Sequence, residues 1–417
     1  MKDISPTFCI LPFTHLNTKT NGEFKLCCRS LPLYNVKEKS LLEVWNSEKV
    51  KSVRKKMLSG ERPEECRECW SHEDQNVRSL RQRENWMKCE IGTYLNVLSE
   101  VNYDYSMPPK MRSIELKLNN LCNLKCRMCH PVDSVLWAKD WPLISRFHSV
   151  GNEWTYNNVD KYNLVETPYL CEWENHPSFF EDLEKIADSL DTVWFAGGES
   201  LIDPMHYKLL DKLKGRGISL QYATNLTRLT FKGRSVLDYW KHFKRVLIGV
   251  SFDGLYDVFE YIRTGSKFDA VNSNMLAIRE EAEKVQSNLI IYAACTFQAY
   301  NIFDLPEIFD YLLEKKIWIN THRVSYPKFL SSQILPKGLK NIVTKKLEKF
   351  ISSVSSRDIE VEFRNNAKKN AIDNLNFMNG NDLSELWPQF LEYNKVLDER
   401  LKGKTIEEIR PEIGDYM

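Results

Sequence analysis

The chain has 417 residues, 42% apolar and 28% charged, enough for two or three domains around at least one large core. A formal net charge of +1 gives no electrostatic basis for a nucleic-acid or anionic-membrane partner. No apolar run approaches the ~18 residues of a membrane span, and the first six residues lack an apolar signal core, so the expected location is cytoplasmic.

The eleven cysteines cluster. Cys9, Cys27, Cys28, Cys66, Cys69 and Cys89 lie in the first hundred residues, Cys122, Cys126 and Cys129 follow, and Cys171 and Cys295 stand alone. In a reducing compartment such clusters signal metal more often than disulfides. Asn21-Gly22 between extended flanks predicts a hairpin that folds Cys27 back beside Cys9. Apolar residues at 3–4 spacing predict helices over 41–45 and 50–58, and Cys66-x2-Cys69 then presents two thiols to one metal. Four thiolates from Cys9, Cys27, Cys66 and Cys69 suit a closed zinc site or an iron–sulfur cluster, with Cys28 the rival to Cys27. A solvated amphipathic helix is expected over about 75–96, with Cys89 a partly buried thiol, and a linker over 105–110.

From Ser113 onward, short β-like runs alternate with helical patterns. The expected strands are 114–118, 192–196, 218–224, 246–251, 289–296 and 317–324, with helices over 177–190, 204–213, 268–285 and 305–315. Six such units make an α/β domain whose parallel sheet curls into a partial (β/α)6 barrel, with chemistry at the C-terminal strand ends. Cys295 on the fifth strand reads as a packed core thiol, its alternative being an inward hydrogen-atom donor. After about Leu335 the pattern is helical and charged, with helices over 340–351 and 383–401 and a short strand over 359–363. The expected division is therefore 1–104, 111–330 with an aromatic-rich insertion at 130–176, and a helical capping region at 335–417. Trp137, Trp141, Trp154, Tyr156, Tyr162, Tyr169 and Trp173 of the insertion either shape a substrate pocket or form a private core.

Directly after the first barrel strand stands Cys122-x3-Cys126-x2-Cys129. Three thiolates hold three irons of a cubane and leave the fourth open to a small molecule. Ala196-Gly197-Gly198-Glu199-Ser200 follows the second strand, where two glycines admit a ligand close to the backbone and Glu199 can accept from an ammonium. The third strand ends at Asn225 and the fourth at Ser251-Phe252-Asp253-Gly254, with Tyr261-Ile262-Arg263-Thr264-Gly265 beyond.

These motifs resemble the radical SAM superfamily, and Cys9, Gly22, Cys27 and Cys66-x2-Cys69 resemble a SPASM or twitch auxiliary-cluster domain, here placed before the barrel. The resemblance implies a 4Fe–4S cluster on Cys122, Cys126 and Cys129 with S-adenosylmethionine (SAM) on its open iron. It further implies a second, auxiliary 4Fe–4S cluster on Cys9, Cys27, Cys66 and Cys69. Met128 would lie near the adenine, and Gly197, Gly198 and Glu199 near the SAM amino group. Asn225 would reach a sugar hydroxyl, Ser251 and Asp253 would lie near SAM, and Arg263 would pair with its carboxylate. His130 is not expected as a ligand, since it would close the open iron. Implied partners are a one-electron reductant such as flavodoxin or ferredoxin and a substrate, first a peptide that is oxidised or crosslinked. A small-molecule dehydrogenase or epimerase is the enzymatic alternative, and a non-catalytic iron–sulfur or zinc scaffold the alternative of another class.

Overall fold

The structure is a computed structural model that describes residues 4–74, 78–88, 91–148, 153–170, 172–324 and 326–416. Cys89, Cys171 and the start of the expected 75–96 helix lie outside the described residues, as do the side chains of Trp154 and Tyr156.

The sheet alternation sets the architecture. Strands β4 (Ser113–Leu116), β5 (Thr192–Phe195), β6 (Ser219–Thr224), β9 (Arg245–Ser251), β10 (Leu289–Phe297) and β11 (Trp318–Arg323) are all parallel; β7 (Thr230–Phe231) and β8 (Arg234–Ser235) form a separate small hairpin. One residue parity, including Val193, Phe195, Leu220, Tyr222, Val246, Ile248, Ile291, Ala293 and Phe297, is buried. Phe297 meets Phe309 of the helix Leu305–Glu314, so this parity faces the helical layer. Cys295 shares it and is fully buried, a core thiol. The other parity faces inward. Glu115, Trp194, Gln221, Leu247 and Asn320 line one cavity of about 790 Å³, so strands near opposite edges of the six look onto the same space. The sheet is curled into a partial barrel.

The first strands extend this sheet. β1 (His15–Thr18) pairs parallel to β4 and continues antiparallel into β2 (Glu23–Lys25) and β3 (Pro32–Asn35). The full order is β11-β10-β9-β6-β5-β4-β1-β2-β3. The β1–β2 hairpin is the one Asn21-Gly22 signals. Gly22 has φ +81°, and a Cβ there would stand 3.0 Å from both Glu172 and Val36, so the turn demands glycine twice over. The helix Leu41–Trp45 opens with a capping box from Ser40 and Glu43, worth about 1 kcal/mol.

Two expectations are corrected. Residues 359–363 do not form a strand: helix Val361–Gly380 begins inside them, and Phe363 stacks on Trp318 at 4.7 Å between ring centroids. The 75–96 region contains helix Leu80–Lys88 followed by Ile91–Glu100, and the first is not simply solvated. Arg81 and Glu84 are buried. Three of the insertion rings pack as core, Trp173 against Phe24 and Phe179 and Trp137 and Trp141 buried, whereas Tyr169 is exposed, and no described insertion residue lines the barrel cavity.

Candidate active site

The three-cysteine loop leaves β4 and is fixed from several sides. The Cys129 amide donates to the Cys126 carbonyl at 2.9 Å, while the Lys125 and Arg127 amides donate to the Thr264 and Ile262 carbonyls, each at 2.9 Å. The Ser134 hydroxyl donates to the Leu124 carbonyl at 2.7 Å, and the Trp137 indole to the Cys126 carbonyl at 3.1 Å. Burial pushes the Cys122 thiol up to about 12, with the neighbouring Cys126 and Glu199 adding to it; Cys126 and Cys129 are raised by burial too. A metal bound there would have to displace these protons, since the thiolate is the ligand. His130 turns to Asp133 at 3.5 Å, and Met128 packs against the core.

The Gly-Gly-Glu turn lies against this loop. The Glu199 amide donates to the Leu121 carbonyl at 2.7 Å, and a Cβ on Gly198 (φ +53°) would approach that carbonyl to 2.5 Å. Glu199 is buried, its carboxylate accepting from the Leu201 amide (3.1 Å), the Thr224 hydroxyl (2.7 Å) and the Asn225 amide (2.6 Å). Burial raises its pKa, and these donors oppose the rise. Asn225 in turn donates to Asn123 at 3.0 Å and reaches the Cys122 sulfur at 4.0 Å.

Asp253 and Arg263 are brought together as partners of each other, at 2.6 Å. The Arg263 guanidinium also donates to the Cys126 sulfur at 3.8 Å, while its buried Nε has no hydrogen-bond partner. Asp253 accepts from the Thr296 amide at 2.6 Å, so it holds Arg263 in place from beneath. Ser251, half-buried at the end of β9, has its inward parity.

Cys9, Cys27, Cys66 and Cys69 line one small cavity with Arg29, Ser30 and Arg81. Cys9 precedes the hairpin, Cys27 follows it, Cys66 ends the turn Glu64–Cys66 and Cys69 lies in the helix Arg67–Asp74, and burial raises the pKa of each. Cys28 is exposed and absent from this wall. Cys27 belongs to two walls at once: with Cys28 it also lines the barrel cavity. Arg81 is a residue that sequence reasoning missed. It pairs with Glu73 at 2.6 Å and donates to the carbonyls of Pro6 and Phe8, tying the segment before Cys9 to the helix after Cys69. Helical spacing alone carried no sign of it.

The residues fit the groups the motifs imply. Four thiols line one small cavity and three more stand on the loop after β4, the all-thiol chemistry that iron–sulfur clusters take, and the buried Arg263 Nε without a partner is a free donor beside the second set. Among the described residues no three or more His, Cys, Asp or Glu side chains are drawn together as they would be around a single metal ion. Residues 116–293 match the radical SAM superfamily, and residues 9–70 match the SPASM iron–sulfur cluster-binding domain. The chain carries a radical SAM domain. Its SPASM domain precedes the radical SAM domain. The radical SAM domain is one that binds a 4Fe–4S cluster and SAM, and SPASM domains bind auxiliary iron–sulfur clusters.

Among solved structures, this radical SAM chain is similar to Streptococcus suis SuiB bound to S-adenosylmethionine, with 14% identity, 84% of this chain and 70% of that chain covered, and a TM-score of 0.36. It is also similar to the same protein bound to precursor peptide SuiA (15%, 76% and 61%, 0.33) and to TYW1 with a lysine–pyruvate adduct (13%, 58% and 72%, 0.26). No curated protein matches it. Among the described residues, no helix is long and apolar enough to cross a membrane.

Proposed function

We propose that this radical SAM enzyme abstracts a hydrogen atom from a peptide substrate and passes the resulting radical's electron to an auxiliary cluster, for a net oxidation or crosslink. Cys122, Cys126 and Cys129 hold the SAM-site cluster, and Cys9, Cys27, Cys66 and Cys69 the auxiliary one. When bound, the first cluster supplies the electron that cleaves SAM to methionine and a 5′-deoxyadenosyl radical. The observation that carries the reading is the position of Cys27, which lines both the four-thiol cavity and the barrel cavity of about 790 Å³. A substrate in the barrel interior would therefore sit against the auxiliary site.

The chain's own residues supply positioning and exclusion of water. Glu199, held by three donors, offers a fixed acceptor for the SAM ammonium, while Gly197 and Gly198 let its turn lie close against Lys117 and the Leu121 carbonyl of the cysteine loop. Arg263, anchored by Asp253, presents its remaining edge to the SAM carboxylate. Ser251 and Asn225 line the strand ends for the nucleoside, and Met128 for the adenine. A one-electron reductant of the flavodoxin or ferredoxin type completes the system.

The cavity volume also favours a second reading, since it lies within the ~300–1,000 Å³ of small-molecule pockets. A sugar- or alcohol-type substrate would then be dehydrogenated or epimerised there. Incubation of the reconstituted enzyme with deuterated peptides and deuterated small alcohols separates the two. Deuterium in 5′-deoxyadenosine from a peptide supports the first reading, and label only from the small molecules overturns it.

A further inference from the structure

Helix Trp387–Leu401, outside the barrel, reaches both cations of the three-cysteine loop: Arg127 directly through Asp398, and Lys125 through Arg400 on its partner Asp140. Arg127, between Cys126 and Cys129, is fully enclosed. It donates to Asp398 at 2.6 Å and to Asn394 at 3.1 Å, and its guanidinium lies 3.5 Å from the centre of the Tyr261 ring. On its backbone, the Arg127 carbonyl accepts from the Tyr393 hydroxyl at 2.8 Å. Asp398 is fixed in turn by the Tyr261 hydroxyl at 3.0 Å and the Ile406 amide at 2.8 Å. Lys125, just before Cys126, pairs with the fully buried Asp140, which also accepts from Arg400 at 2.5 Å.

We propose that this helix is a positioning element that sets the reduction potential of the cluster on Cys122, Cys126 and Cys129, with Asp398 and Arg400 as its electrostatic levers. The proposal rests on the reading of those three cysteines as ligands. Burying an ion pair costs desolvation on both partners, and apolar contacts would hold a loop as well or better. Two such pairs, each ending on a residue adjacent to Cys126, place fixed charge where a reduced cluster gains an electron. A cation there favours the reduced state, and an acid paired to it offsets that pull. Asp398 thereby lowers the potential by damping Arg127. Arg400 acts oppositely by damping Asp140, the partner of Lys125. Tyr393 holds the loop backbone without contributing net charge, and so separates geometry from charge.

The test is an anaerobic redox titration of the reconstituted full chain by electron paramagnetic resonance, with the auxiliary cluster as internal reference. Asp398→Asn is expected to shift the SAM-site midpoint positive, Arg400→Gln to shift it negative, and Tyr393→Phe to leave it nearly in place. The auxiliary midpoint stays put in all three. An unchanged midpoint in a cluster-replete Asp398→Asn overturns the proposal. If that variant fails to fold, the half-exposed Arg400→Gln decides, and a zero or positive shift overturns it. Iron content tests the ligand reading separately: Cys126→Ala with undiminished iron overturns the ligand assignment itself, and the proposal with it.

Discussion

Glu199 is buried, yet three donors hold its carboxylate, and the neighbouring Gly198 lets it approach the cysteine loop. Gly198→Ala places a methyl 2.5 Å from the Leu121 carbonyl at φ +53°, a clash with backbone that no side-chain rotation relieves. The expected result is a loss of SAM affinity of tenfold or more, about 1.4 kcal/mol or greater, read by SAM titration of the reconstituted protein. Wild-type affinity in this variant would contradict the cradle. The Gly-Gly-Glu turn and the three cysteines were legible because local spacing carries them. Asp253 was legible as a residue but not as a partner: its pairing with Arg263 depends on how the β9 end meets the segment after the next helix. Asp253→Ala leaves Arg263 buried beside Cys126 without its anion, and is expected to weaken SAM binding more than Asp253→Asn does.

At the four-thiol cavity, Cys9→Ser or Cys66→Ser is expected to remove about four irons per chain. Cys28→Ser is expected to remove none, because Cys28 is exposed and outside the cavity wall. Iron lost in Cys28→Ser and retained in Cys27→Ser would reverse that assignment.

The barrel strands were readable as elements because six units repeat the same alternation with helices between them. The joining of β1 to β4 was not readable, since a short strand with no periodicity of its own does not announce a partner so distant in the chain. Ile359-Glu360-Val361-Glu362-Phe363 alternates like a strand, yet packing of Phe363 on Trp318 puts its second half at the start of a helix. Tertiary contact overrides a short-range pattern there. Likewise the helix Trp387–Leu401 carries no ligand motif, and its contacts to Arg127 span 267 and 271 positions. Removing one partner of that buried pair is expected to cost about 3–5 kcal/mol when the other charge is left behind. Asp398→Ala should therefore lower the apparent melting temperature far more than Glu392→Ala on the same helix, whose pair with Arg146 is exposed.

The whole fold should be sensitive to mild acid. His15, His148 and His206 are buried, and burial pushes each down from about 6.5 to about 3. The unfolded chain binds protons at these sites below about pH 6.5 while the folded chain does not. Their contribution to stability is therefore complete above about pH 6.5 and is lost progressively as pH falls toward about 3. At about pH 5.5 the loss is about 1 kcal/mol for each histidine. His148 sits among Trp141, Phe329 and Tyr393, and neither of its ring nitrogens has a hydrogen-bond partner. His148→Phe is thus expected to raise the melting temperature and to flatten its fall between about pH 7.5 and 5.5, with an unaltered pH slope arguing against this origin.

At its largest scale the molecule is one partial barrel with two groups of free cysteines, one lining a small cavity and one on the loop after β4. The most direct measurement is anaerobic reconstitution, iron analysis, and then incubation with SAM and a strong one-electron reductant. About eight irons per chain and formation of 5′-deoxyadenosine are expected, the latter abolished by Cys122→Ala together with about four of the irons. A cluster-replete protein that forms no 5′-deoxyadenosine would contradict the radical SAM reading.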